Sequence, residues 1–179
     1  MITVPLKDGS ILTLREACGT DASACLEYLK IVGSETNYLL VGPEGLADQT
    51  EEAEAAYLES CLGSADVAYY LGFIGDTLVS IASVCVPENP RLRHNARLGL
   101  SVRRDYWNLG IGTASIREII RFCEGHDPKI RNLTLEVYAD NTRAISLYEK
   151  LGFLPEGCRK KRLFVNGIYH DELLMCLPL

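Results

Sequence analysis

WNLGIGTASIREIIRFCE, residues 107–124, is the stretch on which the reading of the whole chain turns. Gly110 and Gly112 place a turn without side chains ahead of a regular segment. In that segment Ile116, Ile119, Ile120 and Cys123 recur at i, i+3, i+4 and i+7, the spacing of one buried helix face. Arg117, Glu118, Arg121 and Glu124 fall on the other side. A glycine turn that opens a helix leaves several backbone N–H groups unpaired at the positive end of the helix dipole, where phosphate is favoured. A β-carbon there would hold the anion away from the backbone. Residues 109–114 therefore have two readings: a seat for a phosphate-bearing ligand, or a loop that only needs positive φ.

Outward from this helix, the chain alternates strands and helices. Toward the C-terminus, Leu133–Tyr138 alternates as a strand, Asp140 or Asn141 caps a short helix over Arg143–Leu151, and Gly152 closes it. Two strands, about 159–164 and 168–176, meet at Asn166-Gly167, a hairpin signal. Toward the N-terminus, Ala96–Val102 reads as a strand with Leu98, Leu100 and Val102 alternating. Val67–Ile74 and Leu78–Val86 form a hairpin around Gly75-Asp76. A helix from Thr50 to about Ser60 carries Glu51 and Glu52 in its first turn, where the dipole favours acids. The spacing predicts another helix from Thr20 or Asp21 to about Val32, with Cys25, Leu26 and Leu29 inward, after a strand at Ile11–Arg15. The loop Gly33–Gly45, with Glu35, Thr36 and Asn37, is either substrate-facing or an ordinary connection. Strand, helix, strand, helix over residues 96–151 predicts a parallel pair at the sheet centre, flanked by hairpins. The expectation is a mixed α/β fold: a mostly antiparallel, seven-stranded sheet with helices on both faces.

At 179 residues the chain is expected to form a single domain, 1–179. It has no apolar run long enough for a transmembrane helix, and MITVPLKDGS lacks a charged-then-apolar leader, so a cytoplasmic location is expected. The formal net charge of −6 argues against general nucleic-acid binding. Seven cysteines lie far apart with no C-x-x-C pair, so neither a zinc knuckle nor a redox dithiol is signalled, and no metal is expected. Arg91, Arg93, Arg97, Arg103 and Arg104 read as a solvated rim or as an attraction for anions near the glycine turn. Arg159–Arg162, RKKR, reads as an exposed strand or loop edge.

Three phosphate-binding designs compete. No glycine is followed by lysine and then Ser or Thr, which removes the P-loop. A dinucleotide fingerprint needs a third glycine where Ser115 stands, directly after a strand. The third design fits more of the chain. Gly110-Ile111-Gly112-Thr113 together with NTRAISLYEKLGF, Asn141–Phe153, resembles the GNAT superfamily of acetyl-coenzyme A-dependent N-acetyltransferases. The resemblance covers roughly residues 70–176 and departs from the family pattern at Trp107, where Arg or Gln is usual.

The resemblance implies an acetyl-coenzyme A cosubstrate. Its thioester would lie between two splayed parallel strands, 96–102 and 133–138. The pantetheine arm would pair with Leu100 and Val102, and the pyrophosphate would sit on Leu109, Gly110, Ile111, Gly112 and Thr113. Asn141 and Ala144, at the start of the second helix, would add coenzyme contacts. Tyr148 matches the family's tyrosine and is the implied proton donor, although Ala144, Leu147, Tyr148 and Leu151 also form an apolar helix face by spacing alone. Glu136 alternates away from Leu133, Leu135 and Val137 and is the first candidate for general base, through water; His94 and Asp171 are others. The closing GIYHDELLM looks like branches that acetylate small amines, amino acids or protein N-termini. A homodimer is a further expectation of the resemblance. The rival reading is a catalytically silent coenzyme A sensor or partner-binding domain of the same fold.

Overall fold

The structure is a computed structural model that describes residues 1–39, 45 and 49–179. Among the described residues eight strands form one sheet: β1 (Ile2–Pro5), β2 (Ile11–Glu16), β3 (Val67–Ile74), β4 (Thr77–Cys85), β5 (Asn95–Val102), β6 (Asn132–Tyr138), β7 (Leu154–Val165) and β8 (Ile168–Pro178). Their order is β1-β2-β3-β4-β5-β6-β8-β7, and only β5–β6 is parallel. The described residues also hold four α-helices, α1 (Ala22–Glu35), α2 (Glu51–Cys61), α3 (Ile111–Gly125) and α4 (Thr142–Lys150), and two short 3-10 turns, Gly19–Asp21 and Arg104–Tyr106.

The strand count is eight rather than the seven expected. The addition, β1, is four residues long and ends at Pro5, too short for alternation to show. It pairs with β2 at the edge, where a proline is tolerated. β7 starts at Leu154, not near 159, because Pro155 and Gly157 sit at a register shift on the opposite edge and mask the strand pattern.

Alternation divides the central strands between two faces. Ala68, Ala82 and Val84 pack with Ile116, Ile119 and Cys123 of α3 and with Tyr148 of α4. Leu71 and Ile81, one residue out of step, pack with Cys25, Tyr28 and Val32 of α1 and Leu58 of α2. The inward residues of α1 are thus Cys25, Tyr28 and Val32; Leu26 and Leu29 are only half-buried. A buried tyrosine escapes an aliphatic count, and its hydroxyl is satisfied by Ser101 Oγ at 3.0 Å.

The N-terminal ends of α2 and α4 follow local capping chemistry. Thr50 Oγ1 accepts from Ala53 N–H, and Asn141 Oδ1 accepts from Ala144 N–H. Glu35 is the last residue of α1 rather than a loop residue, and Arg104 N–H donates to its carboxylate at 2.7 Å. This ties α1 to the segment leading into the glycine turn. Residues 40–44 of the loop expected over 33–45 lie outside the described residues.

Candidate active site

β5 and β6 run together for three rungs: Asn95↔Asn132, Ala96↔Leu133 and Arg97↔Thr134. Thr134 Oγ1 donates to Ala96 O at 3.0 Å, and Asn132 Nδ2 donates to Asn95 Oδ1 at 2.9 Å, which fastens the closed end. Beyond Thr134 they part. β5 keeps its pairing with β4 as far as Val102, and β6 keeps its pairing with β8 as far as Tyr138. Arg103 N–H bonds Val79 O on the β4 side, so strand alternation turns the backbone groups of Leu100 and Val102 toward the gap. Such groups need a partner other than the neighbouring strand. One of them already has it: the Trp107 indole N–H donates to Val102 O at 2.8 Å. The Leu100 backbone groups and the Val102 N–H have no partner strand on this side among the described residues.

The glycine turn lies at the open end. Gly110 caps α3 with φ 104°, a left-handed conformation that favours glycine, and a β-carbon there would meet nothing within 4 Å. The first helical bond runs from Ala114 N–H to Gly110 O, so the N–H groups of Ile111, Gly112 and Thr113 have no helical acceptor. Lys7 N–H braces the turn from behind by donating to Leu109 O at 3.2 Å. Gly112 has a separate duty: its missing β-carbon leaves room for Leu147 of α4. The open turn and the unpaired strand edge fit an extended, amide-bearing ligand with a phosphate tail.

Tyr148 and Glu136 enter from opposite faces of the sheet. Tyr148 is buried among α3 and α4 core residues, 5.6 Å ring to ring from Phe153. Its hydroxyl has no hydrogen-bond partner among the described residues, and burial pushes it up to about 12, so it stays protonated at neutral pH. Glu136 lines a cleft of about 230 Å³ with Arg97, Leu100, Tyr138 and Glu172, and Tyr38 closes it from beyond α1. Each carboxylate oxygen of Glu136 has a guanidinium: Arg159 at 3.1 Å and Arg97 at 3.0 Å. Arg159 also reaches Glu172, whose side chain is 5% exposed, at 2.8 Å.

The other candidate bases lie elsewhere. His94 precedes β5 at the closed end of the fork, where its carbonyl accepts from Arg131 N–H. Asp171 is turned outward, and its pairing with Lys160 at 2.8 Å and with the Lys161 N–H holds its carboxyl below the ordinary range. Arg159 is not merely an edge residue, since it bridges two cleft carboxylates. Of the five rim arginines, Arg93 pairs with Asp66, Arg97 with Glu136 and Arg103 with Glu35. Sequence reasoning missed Glu172, although it stands across from Tyr138 on β8, on the face that alternation assigns to Glu136.

Residues 35–153 match the profile of the acetyltransferase (GNAT) family. The L-amino acid N-acetyltransferase AaaT of Escherichia coli (strain K12) is 34% identical over 102 residues, which cover 57% of this chain and 62% of that protein. The ribosomal protein bS18-alanine N-acetyltransferase of the same strain is 34% identical over 80 residues, covering 45% and 53%. The chain thus spans between half and two thirds of these relatives' length. The crystal structure of an acetyltransferase of the GNAT family from Streptococcus pneumoniae superposes with a TM-score of 0.88 at 27% identity, over 94% of this chain and 99% of that one. A fork in the sheet, a bare turn ahead of α3 and a profile match over two thirds of the sequence converge on one conclusion: the chain belongs to the acetyltransferase (GNAT) family.

Proposed function

We propose that the protein transfers an acetyl group from acetyl-coenzyme A to a primary amine, borne by a small amine, an amino acid or a protein N-terminus. The observation that carries the reading is the fork: β5 and β6 separate after Arg97 and Thr134, and the freed edge of β5 leads to an open glycine turn. The names of relatives that act on amino acids and on a ribosomal protein's alanine support an amine acceptor. Nothing in the site favours the silent sensor over this reading.

Leu100 and the Val102 N–H would hold the amide-bearing arm, and Leu109, Gly110, Ile111, Gly112 and Thr113 the phosphates. Asn141 and Ala144 would flank the arm from α4; the Asn141 side chain is already engaged as a cap, which leaves its remaining amide hydrogens for a ligand. When bound, the coenzyme supplies a thioester, whose carbonyl carbon is open to a neutral amine. Glu136 takes the proton that an ammonium must shed, through water, and Arg97 and Arg159 keep its carboxylate in place. Tyr148 returns a proton to the departing thiolate. Tyr38, Tyr138 and Glu172 shape the acceptor's side of the cleft.

Thiol release from acetyl-coenzyme A should be followed across free amino acids, small amines and short peptides with free N-termini. Turnover of one class identifies the acceptor, and no turnover of any primary amine overturns the enzyme reading.

A further inference from the structure

Trp107 stands three residues before Gly110, and the structure gives its ring two tasks. Its edge is fixed by the bond to Val102 O at the open end of β5. Its face carries the Arg143 guanidinium, 4.0 Å from the ring centroid, while Arg104 approaches to 5.9 Å. Arg143 is the second residue of α4, at the positive end of that helix, where a cation is disfavoured. Neither the Arg143 guanidinium nor the Arg104 guanidinium is paired with a carboxylate among the described residues; the Arg104 bond to Glu35 uses its backbone N–H. Among the described residues the support given to Arg143 is aromatic, and a cation over indole leaves N–H donors at the guanidinium rim available to a ligand. The ring thus holds a guanidinium from α4 beside the turn that opens α3.

We propose that Trp107 is a positioning residue that holds Arg143 against the diphosphate of the coenzyme. This rests on the acetyl-coenzyme A reading above. A planar guanidinium suits a phosphate because it donates two parallel hydrogen bonds. Position 107 therefore contributes a cation without bearing one, by placing a residue thirty-six positions later in the chain. Anchoring by Val102 fixes the indole's orientation, so the guanidinium is presented in advance rather than ordered on binding.

The test is calorimetric binding of coenzyme A and of 3′-dephospho-coenzyme A to the wild type, Trp107→Ala, Trp107→Phe, Arg143→Gln and the Trp107→Ala/Arg143→Gln pair. Arg143 is exposed, so Arg143→Gln should fold normally, and circular dichroism checks each variant. Arg143→Gln and Trp107→Ala should each weaken binding about tenfold, the size of one charge-assisted contact. The double variant should be no weaker than either single, and Trp107→Phe should recover part of the loss because it keeps an aromatic face. Both ligands should lose affinity by the same factor, since both carry the diphosphate. Tight wild-type binding with additive or absent variant effects overturns the proposal and leaves the acetyltransferase reading standing. A loss confined to coenzyme A moves Arg143 to the 3′-phosphate and overturns the diphosphate assignment. No binding by the wild type overturns both.

Discussion

Gly112 and Leu147 bring α3 and α4 closer than two side chains would allow: a β-carbon on Gly112 would stand 2.8 Å from Leu147 Cδ2. The approach sets α4, and with it Asn141 and Tyr148, against the glycine turn. Gly112→Ala should push Leu147 aside and cost roughly 1–2 kcal/mol, as overpacking does. Gly110→Ala should cost a similar roughly 1–2 kcal/mol for a different reason, the strain of φ 104° in open space. Urea titration checks the size. The causes separate on repacking: Leu147→Ala should relieve Gly112→Ala and leave Gly110→Ala unrelieved.

Tyr148→Phe should lower kcat by roughly 10²–10⁴-fold with coenzyme affinity nearly unchanged. Stability should shift by less than about 0.5 kcal/mol, because the ring remains and the hydroxyl has no described partner to lose. The proton has to be on the hydroxyl for it to act as donor, and burial keeps it there until the pH nears about 12. Wild-type turnover should therefore show no alkaline fall below pH ~10 that Tyr148→Phe abolishes. Such a limb in paired pH–rate profiles would remove the residue from its role.

Glu136→Gln keeps the shape of the cleft and removes the proton acceptor. Expected is a roughly 10²–10⁴-fold loss in kcat, partly restored at high pH, where the amine arrives already neutral. Equal losses at all pH values would indicate that Glu136 only shapes the cleft with Arg97 and Arg159.

At the start of α1, Asp21 accepts from Arg15 at 2.6 and 2.7 Å and from Cys18 N–H at 3.0 Å. The Arg15 hydrogen bonds lower its carboxyl to about 2. A group depressed in the folded state contributes stability above its unfolded value and loses it as pH falls through the folded one. Arg15 is a third exposed, so the contribution is discounted to roughly 1–2 kcal/mol, lost between about pH 5 and pH 2. Asp21→Asn should flatten the acid side of the thermal-stability curve over that window and leave pH 7–8 dependence unchanged. An unchanged acid slope would refute it.

Much of the fold was legible because its signals are local. The i, i+3, i+4, i+7 face of α3, the helix start near Thr50, the cap at Asp140 or Asn141, and the turns at Gly75-Asp76 and Asn166-Gly167 each need only neighbouring residues. What stayed hidden depends on register. That Arg159 bridges Glu136 and Glu172 follows from β6, β7 and β8 lying side by side, with a bulge between Arg159 and Leu163. No spacing in the sequence encodes that. Trp107 was visible as a departure from the family pattern, but its partner Arg143 meets it only when α4 closes over the turn.

The two outer borders of the sheet have a consequence for behaviour at high concentration. One border is a four-residue strand that stops at a proline; the other carries Lys160, Lys161 and Arg162 around a left-handed kink at Lys161. A neighbouring molecule trying to continue the ladder would find too few rungs on one side and like charges on the other. Fibrous growth by strand addition is thereby discouraged, and any self-association is left to the helical layers.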